Sequence, residues 1–204
     1  MKQNPNSNME NLPIMATTPI PQSRGLEETE PKAVAAVAAV AAVAVAAQPT
    51  KITKVISYGN GVLTVEMDDG NHYKREGGTL AWRGQNPGNI RYGDFAKSQG
   101  AVGSGYDGMS VFPTIDVGKS AMKELLFGNN SRYLDLSIKR AMSIYAPDYD
   151  GNDSSAYAAF VCKAARLSNI KALRQLTGEE RDRMLAAMQR MEGNKVGTVT
   201  KVTK

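Results

Sequence analysis

The 204-residue chain contains a single cysteine, Cys162, and a single histidine, His72. One cysteine cannot form a disulfide within the chain or a cysteine-based metal site, and its apolar surroundings in the sequence are typical of a buried, inert thiol. One histidine argues against a histidine-dependent catalytic triad and against a metal site built from several histidines. We therefore predict that the protein uses neither a metal nor a cofactor.

Long hydrophobic runs are also scarce. The only extended one is the Ala/Val-rich segment 33–47, which as a helix would measure about 22 Å. That is shorter than the ~30 Å hydrocarbon core of a bilayer, so we expect no transmembrane span. Three interpretations stay open: a helix that docks on a partner such as a neighbouring subunit, a low-complexity linker, or a segment inserted into a membrane surface.

The N-terminal stretch 1–31 holds five of the nine prolines among scattered polar residues. Such a composition cannot bury enough apolar surface to offset the entropy of ordering, which predicts a disordered tail. Its apolar run begins too late for a signal peptide. Together with the Ala/Val-rich segment, this tail forms a first region, residues 1–50.

Charge is uneven along the chain. Residues 1–50 carry a net charge of −1, whereas the remainder carries +6. A basic body suits an anionic partner such as nucleic acid, a membrane surface or the bacterial wall. A nucleic-acid binder is the weakest of these, since no helix-turn-helix signature, RNA-binding aromatic motif or zinc site accompanies the basic residues Lys163, Arg166, Lys171 and Arg174.

Turn signals divide the rest of the chain. Asn60-Gly61 and Asp69-Gly70 separate three β-rich runs, which predicts a small antiparallel meander over residues 51–78. Four amphipathic, capped segments follow, over about 116–127 and 137–145, after the N-cap Asp153, and from the capping box at Thr177 to Gly193. We therefore predict a mixed α and β fold, mainly α, with a helical domain over 79–196 and a loose tail over 197–204. Three short strands rarely stand alone, so the meander must pack on the helical domain or pair with another copy in a homo-oligomer.

A glycine-rich segment opens the helical domain and begins with the run Trp82 to Phe95, which combines aromatic, arginine, asparagine and glycine residues. Glycine lets a backbone approach a ligand closely, and asparagine offers both donors and an acceptor. The mixture is typical of the wall of a polar binding site. It is also compatible with a tightly turned loop that caps its own backbone groups.

This run resembles a segment of phage and prophage virion-associated proteins and of related secreted, peptidoglycan-attacking domains. The resemblance covers roughly residues 60–196. One departure is that relatives often have Asn-Asn-Asn-Pro-Gly-Asn, whereas this chain has Gly84-Gln85-Asn86, so any amide contact from position 84 is lost. The motifs that carry the resemblance are Trp82-Arg83, Asn86 to Arg91, Gly93-Asp94-Phe95, Val111-Phe112-Pro113, Tyr145-Ala146-Pro147, Asn152-Asp153-Ser154, Ala156-Tyr157 and Met191-Glu192-Gly193.

The resemblance implies a lysozyme-like helical domain and a peptidoglycan-degrading activity, as a glycoside hydrolase or a lytic transglycosylase. It also implies a protein carried in the phage virion that acts in the host periplasm or cell wall and assists the phage in entering its host. Peptidoglycan and other virion subunits, the latter bound through the N-terminal segment, are then the expected partners. A virion structural or ejection protein without enzymatic activity is the alternative.

Cleavage of a sugar bond usually needs a carboxylic acid with a raised pKa and a second group that supplies a nucleophile or holds a water. Glu192 is the first candidate for the acid, because a carboxylate at a helix C-terminus faces an unfavourable dipole that raises its pKa if it is also desolvated. Asp94 and Asp153 are candidates for the second group. Each has a structural alternative: an ion pair of Glu192 with Arg190, Lys195 or Arg83, an Asx turn for Asp94, and a helix cap for Asp153.

Aromatic and amide side chains could hold the substrate. Flat rings suit sugar rings, asparagine amides suit their hydroxyl and acetamido groups, and an arginine suits a lactyl or peptide carboxylate. The candidate substrate-binding residues are Trp82, Asn86, Asn89, Arg91, Tyr92 and Tyr145.

Overall fold

The computed structural model describes residues 49–202. The predicted disordered tail 1–31 and the Ala/Val-rich segment 33–47 lie outside the described residues. Within 49–202 the chain is a mixed α and β structure that contains a four-stranded antiparallel sheet and six α-helices. None of the helices in this part of the chain is long and apolar enough to cross a membrane.

Three strands form the predicted meander: β1 (Ile52–Gly59), β2 (Val62–Met67) and β3 (His72–Glu76). Each pairs antiparallel with the next, with Tyr58 opposite Leu63 and Val65 opposite Tyr73. The turn between β1 and β2 places both Asn60 and Gly61 at positive φ, which is the conformation that an Asn-Gly hairpin turn requires.

The C-terminal segment 197–204 was expected to be loose, and for most of its length this is wrong. A further strand, Thr198–Lys201, pairs antiparallel with β3, and the backbone N–H of Val202 donates to the carbonyl of His72 at 2.8 Å. All four residues of this strand are exposed. Backbone hydrogen bonds to the free edge of β3 therefore hold it, without a buried face that a hydrophobic pattern could reveal.

Two short helices and a two-stranded ribbon occupy the glycine-rich region. They are α1 (Leu80–Arg83), α2 (Asp94–Ser98), β4 (Gly103–Ser104) and β5 (Ser110–Val111); the C-terminal strand is accordingly β6. Val111 of β5 joins the core of the sheet, packed with Ile52, Leu63, Val65, Met67 and Tyr73. The region is thus ordered and connects the sheet to the helices.

Four longer helices complete the structure, and each begins at a side chain that caps its N-terminus: Thr114, Ser137, Asp153 and Thr177. The capping box predicted at Thr177 is present, with Glu180 as its second member. The helices are α3 (Ile115–Phe127), α4 (Ile138–Tyr145), α5 (Ser154–Ala165) and α6 (Gly178–Glu192). The four predicted segments are confirmed.

The helices surround a second hydrophobic core. Aromatic, aliphatic and methionine side chains fill it, and Cys162 is buried at its edge. The methionines thus serve as core packing. The largest fully buried side chains of this core are Phe112, Met122, Leu126, Ile138, Met142, Leu173, Met184 and Met188.

Candidate functional site

The candidate site centres on Glu192, the last residue of α6, which Gly193 follows at a φ of 75°. The side chain is half-buried. Its Oε1 accepts a hydrogen bond from the Tyr157 hydroxyl and its Oε2 accepts one from Asn89 Nδ2, both at 2.7 Å. Among residues 49–202, Glu192 has no cationic partner within 4 Å, so the ion pairs considered for it from the sequence are not formed there.

Asn89 reaches Glu192 because of the turn that precedes it. Its backbone N–H donates to the carbonyl of Asn86, and its own φ is 43°. Its Nδ2 is used on Glu192, whereas its Oδ1 is buried and has no partner among the described residues. Asn89 therefore fixes the position of one carboxylate oxygen of Glu192, and its own Oδ1 remains a hydrogen-bond acceptor without a partner in residues 49–202.

Two tyrosines from neighbouring helices lie near the carboxylate, and one of them contacts it. Tyr157 of α5 donates to Glu192, and Tyr145 of α4 donates to the carbonyl of Gly88 at 2.6 Å. Their ring centroids are 6.2 Å apart. Burial, reinforced by the negative charge of Glu192, raises the pKa of Tyr145 well above its ordinary value, and burial likewise raises the pKa of Tyr157. Both phenols therefore stay protonated and act as donors.

Asn86 has a different place from Asn89. It is 1% exposed, and its amide bonds to backbone groups of the loop and of β5. Its Nδ2 donates to the carbonyls of Ile90 and Ser110, and its Oδ1 accepts from the backbone N–H of Ile90, at 2.9–3.1 Å. Asn86 therefore secures the loop, as in the interpretation of a segment that caps its own backbone groups, and has no amide group left for a substrate.

Arg91 and Tyr92 lie on the exposed side of the loop. Arg91 forms ion pairs with Asp107 at 3.6 Å and Asp150 at 3.8 Å. Tyr92 is 37% exposed, and the Lys97 ammonium lies 5.5 Å from the centroid of its ring. Both side chains are accessible to a large ligand, although Arg91 would exchange its present partners for it.

The two further carboxylates lie in different settings. Asp94 is the first residue of α2, fully exposed and paired with Lys97 on the same helix at 3.4 Å. Asp153 is exposed and caps α5 by accepting from the backbone N–H of Ala156 at 2.8 Å. It lies one turn before Tyr157 on that helix, and within residues 49–202 no hydrogen bond or ion pair joins the carboxylate of Asp94 or of Asp153 to Glu192.

Trp82 lies in α1 and has one ring face occupied. The guanidinium of Arg75 stands 4.4 Å from the ring centroid, and the same group donates to the carbonyls of Trp82 and Arg83 at 2.8 Å. Burial lowers the pKa of Arg75 to about 10. This arrangement ties α1 to β3 and leaves at most one face of Trp82 for a sugar.

The structure thus joins Glu192, Asn89 and Tyr145 from the predicted set, and adds two residues that were not predicted. Tyr157 was named only as part of the Ala156-Tyr157 motif, and its place on the inner face of a helix does not indicate that its hydroxyl is used. Asp150 approaches Arg91 from a single 3₁₀ turn, Asp148–Asp150. Only the Asn-Asp-Ser and Ala-Tyr motifs near these residues pointed to this part of the chain.

Chemically, the cluster presents one carboxyl group held by two neutral donors at a helix end. No group of three or more His, Cys, Asp or Glu side chains within residues 49–202 is arranged to hold a metal ion. Comparison of the chain with models of known protein families and with curated proteins found no match.

Proposed function

We propose that this chain is a virion-associated protein that degrades peptidoglycan, by glycoside hydrolysis or lytic transglycosylation, and assists a phage in entering its host. The proposal includes a lysozyme-like helical domain and attachment to other virion subunits through the N-terminal segment. The observation that carries it is the setting of Glu192, a half-buried carboxyl group with no cation near it in residues 49–202 and with both oxygens oriented by Tyr157 and Asn89.

Glu192 is assigned the role of general acid. In its protonated form it would deliver a proton to the glycosidic oxygen as the bond to the sugar breaks. Tyr157 and Asn89 hold the carboxyl group from two directions, which fixes the direction of that transfer. Because the hydroxyl of Tyr157 is both donor and acceptor, it can hydrogen-bond to either protonation state of Glu192.

A second group must stabilise positive charge on the sugar or hold a water. Of the two carboxylates proposed from the sequence, Asp153 is the first to test because it lies one helical turn from Tyr157. Asp94 is the second, since its ion pair with Lys97 and its full exposure leave it in bulk solvent. Asn89, Arg91, Tyr92 and Tyr145 are assigned to substrate binding, with Trp82 available on one face.

The decisive experiment is an assay of the full chain and its Glu192→Gln variant on purified peptidoglycan, with mass spectrometry of the released fragments. Loss of an essential acid should reduce the rate by about 10²–10⁴-fold, while the thermal midpoint stays close to wild type because Gln still accepts from one donor. Glu179→Gln is the matched control, an exposed glutamate on the same helix whose only ion pair in residues 49–202 is with Arg183.

The outcomes separate the alternatives. If the wild-type chain releases no fragments, the enzymatic proposal fails. If Glu192→Gln keeps full activity, the wall-degrading role stands and the acid is another residue, with Asp153→Asn and Asp94→Asn as the next variants. Anhydro-sugar ends on the fragments would indicate a lytic transglycosylase, and reducing ends a hydrolase.

A non-enzymatic virion structural or ejection protein remains the second candidate, and one observation favours it. The two donors that hold Glu192 satisfy both of its oxygens within the protein, as a structural tie between α6, α5 and the loop would. In that case neither the wild-type chain nor Glu192→Gln should release fragments from peptidoglycan, and the substitution should lower the thermal midpoint. The assay and the thermal midpoint test these two expectations.

A further inference from the structure

One end of the helical domain is formed by the first turn of α4, the last turn of α5 and the loop 166–172 that follows α5. A backbone hydrogen bond holds this loop against α4, because the N–H of Lys139 donates to the carbonyl of Asn169 at 3.0 Å. The Glu192 cluster lies at the other end of the same two helices, where Tyr157 of α5 contacts it. Since α5 is about 18 Å long, the two ends are separate surfaces.

This end carries an excess of positive charge. The two segments that supply it, residues 136–147 and 154–178, contain six lysines and arginines and no aspartate or glutamate. Two of the six form ion pairs with carboxylates of other segments. Glu179 of α6 also lies near this end, but it pairs with Arg183, whose Nε donates to the carbonyl of Ala165. The remaining four cations are exposed and have no carboxylate within 4 Å in residues 49–202: Lys139, Arg140, Lys163 and Arg166.

Helix stability explains only half of this cationic end. Lys163 and Arg166 lie at the C-terminal end of α5, where the helix dipole favours cations. Lys139 and Arg140 are the second and third residues of α4, where the dipole disfavours them. No acidic side chain in that first turn compensates. The position of these two cations therefore works against the helix, which indicates that they serve another purpose.

An apolar side chain stands out among these cations. Ile170 is 81% exposed, more than any other large aliphatic side chain within residues 49–202. It lies between Asn169 and Lys171, whose carbonyls accept from the N–H groups of Lys139 and Ile138, so the loop holds it beside the start of α4. An exposed isoleucine gains little from a soluble polyanion. It can instead enter the headgroup region of a bilayer whose negative charge attracts the cations.

We propose that this cationic end of the helical domain docks on the surface of a bilayer that contains anionic phospholipid. The four cations would lie against the headgroup phosphates, and the side chain of Ile170 would insert between the headgroups. The charge complementarity and the exposed isoleucine carry the inference, and neither depends on the proposed function. If that function holds as well, docking would leave Glu192 at the far end of α5, away from the lipid.

The first measurement is co-sedimentation of the full chain with two kinds of vesicle, one of phosphatidylcholine alone and one of an equal mixture of phosphatidylcholine and phosphatidylglycerol. Binding should require the anionic lipid. It should also weaken between 0.1 and 1 M salt, because the Debye length falls from about 10 Å to about 3 Å. No binding to the mixed vesicles, or equal binding to both kinds, would overturn the proposal.

The double variant Lys139→Gln with Arg140→Gln tests the cations. It should weaken binding to the mixed vesicles about 30-fold, or about 5-fold for each cation lost. The thermal midpoint should stay the same or rise, because two unfavourable interactions with the helix dipole are removed. The matched control is Lys54→Gln with Lys74→Gln, two exposed lysines of the sheet without an ion pair in residues 49–202. An equal loss of binding in the control would show that only net charge matters and would overturn the proposal.

Ile170→Ser separates a bilayer from a soluble polyanion. It should weaken binding to the mixed vesicles about 10-fold without lowering the thermal midpoint, whereas Ile56→Ser, at a 40% exposed position of β1, should bind as the wild type does. If Ile170→Ser keeps full binding while the double variant loses it, the cations recognise a polyanion such as nucleic acid or a wall polymer. Binding that survives every substitution would come from elsewhere in the chain, such as the apolar segment 33–47. Either result overturns the proposal.

Glu192→Gln distinguishes failure of this inference from failure of the proposed function. It should bind the mixed vesicles as the wild type does, because Glu192 lies at the other end of α5, and a loss of binding would contradict the assigned docking end. A wild-type chain that cleaves peptidoglycan but does not bind the mixed vesicles would retain the function and refute the docking. A chain that binds the vesicles through the cationic end and cleaves nothing would retain the docking and refute the enzymatic activity.

Discussion

The two halves of the loop from Gly84 to Tyr92 use the same residue types for opposite purposes. In the first half, Asn86 is buried and its amide makes three hydrogen bonds to backbone groups. In the second half, Asn89 is half-buried, donates to Glu192 and leaves its Oδ1 without a partner in the described chain. One asparagine holds the loop together, and the other extends from it.

The first half is also packed against the helices. Gly88 lies so close to Tyr145 and Met122 that a Cβ there would approach the tyrosine hydroxyl to 2.9 Å. Gly118 of α3 lies against the carbonyl of Gln85 and the ring of Pro87. The comparison indicates that the buried half of the loop positions the half that holds Glu192. Four substitutions test this difference between the two halves.

The largest effect on stability is expected from Asn86→Ala. The change removes the side-chain hydrogen bonds to the N–H of Ile90 and to the carbonyl of Ser110, in a place that water does not reach. It also removes one of the two hydrogen bonds to the carbonyl of Ile90, which still accepts from the N–H of Ser110. We expect the free energy of unfolding to fall by about 2–4 kcal/mol, as measured by urea titration. Asn152→Ala is the control, since Asn152 is exposed and makes one bond, to the carbonyl of Pro147. A loss below about 1 kcal/mol would contradict the anchoring role.

Gly118→Ala should give the next largest effect. An alanine normally stabilises a helix relative to glycine by roughly 0.5–1 kcal/mol, but a Cβ here would collide with the carbonyl of Gln85. We expect a net loss of about 1–3 kcal/mol as the loop is pushed off α3. Gly178→Ala, at the open start of α6 where a Cβ meets nothing within 4 Å, should be neutral or stabilising. Similar results for the two glycines would show that the loop is not packed as described.

Asn89→Gly tests the second half of the loop. Glycine tolerates the positive φ at this position, so the substitution removes the amide and keeps the turn. Under the proposed function, kcat/KM on labelled peptidoglycan should fall about 10-fold, or 1.4 kcal/mol, because Glu192 loses one of its two orienting donors. The free energy of unfolding should change by less than about 1 kcal/mol. Gln85→Gly, at another positive-φ position of the loop, is the control; an equal loss of rate there would assign the effect to loop flexibility.

The helices were predictable because their signals are local. A capping residue, an apolar stripe and a stop lie within one segment, and Thr177 with Glu180 or Asp153 with Ala156 form the expected contacts. The strand β6 was not predictable in this way. Its four residues are all exposed, and its pairing with β3 joins residues more than 120 positions apart.

The candidate site was predictable only in part, for the same reason. Glu192 was singled out by its place at a helix end, a local property. Its partners Asn89 and Tyr157 lie 103 and 35 residues away, and a tyrosine on the inner face of a helix has the same pattern whether or not its hydroxyl is used. The different roles of Asn86 and Asn89 could not be predicted from the sequence either. Both asparagines belong to the same turn, and nothing in its composition distinguishes an amide that points inward from one that points outward.

Arg91→Ala should have the smallest effect on stability, because Arg91 lies in the second half of the loop and is largely exposed. Its ion pairs with Asp107 and Asp150 are 3.6 and 3.8 Å long, and the arginine side chain is 56% exposed. Exposed pairs of this kind contribute less than about 1 kcal/mol, and the small difference from wild type should shrink further in 1 M salt, where the Debye length is about 3 Å. Urea titrations at low and high salt measure both. A loss of unfolding free energy as large as that of Asn86→Ala, or one that salt does not reduce, would contradict this prediction. It would mean that Arg91 helps to hold the loop in place and, under the proposed function, is not free to exchange Asp107 and Asp150 for a carboxylate of the substrate.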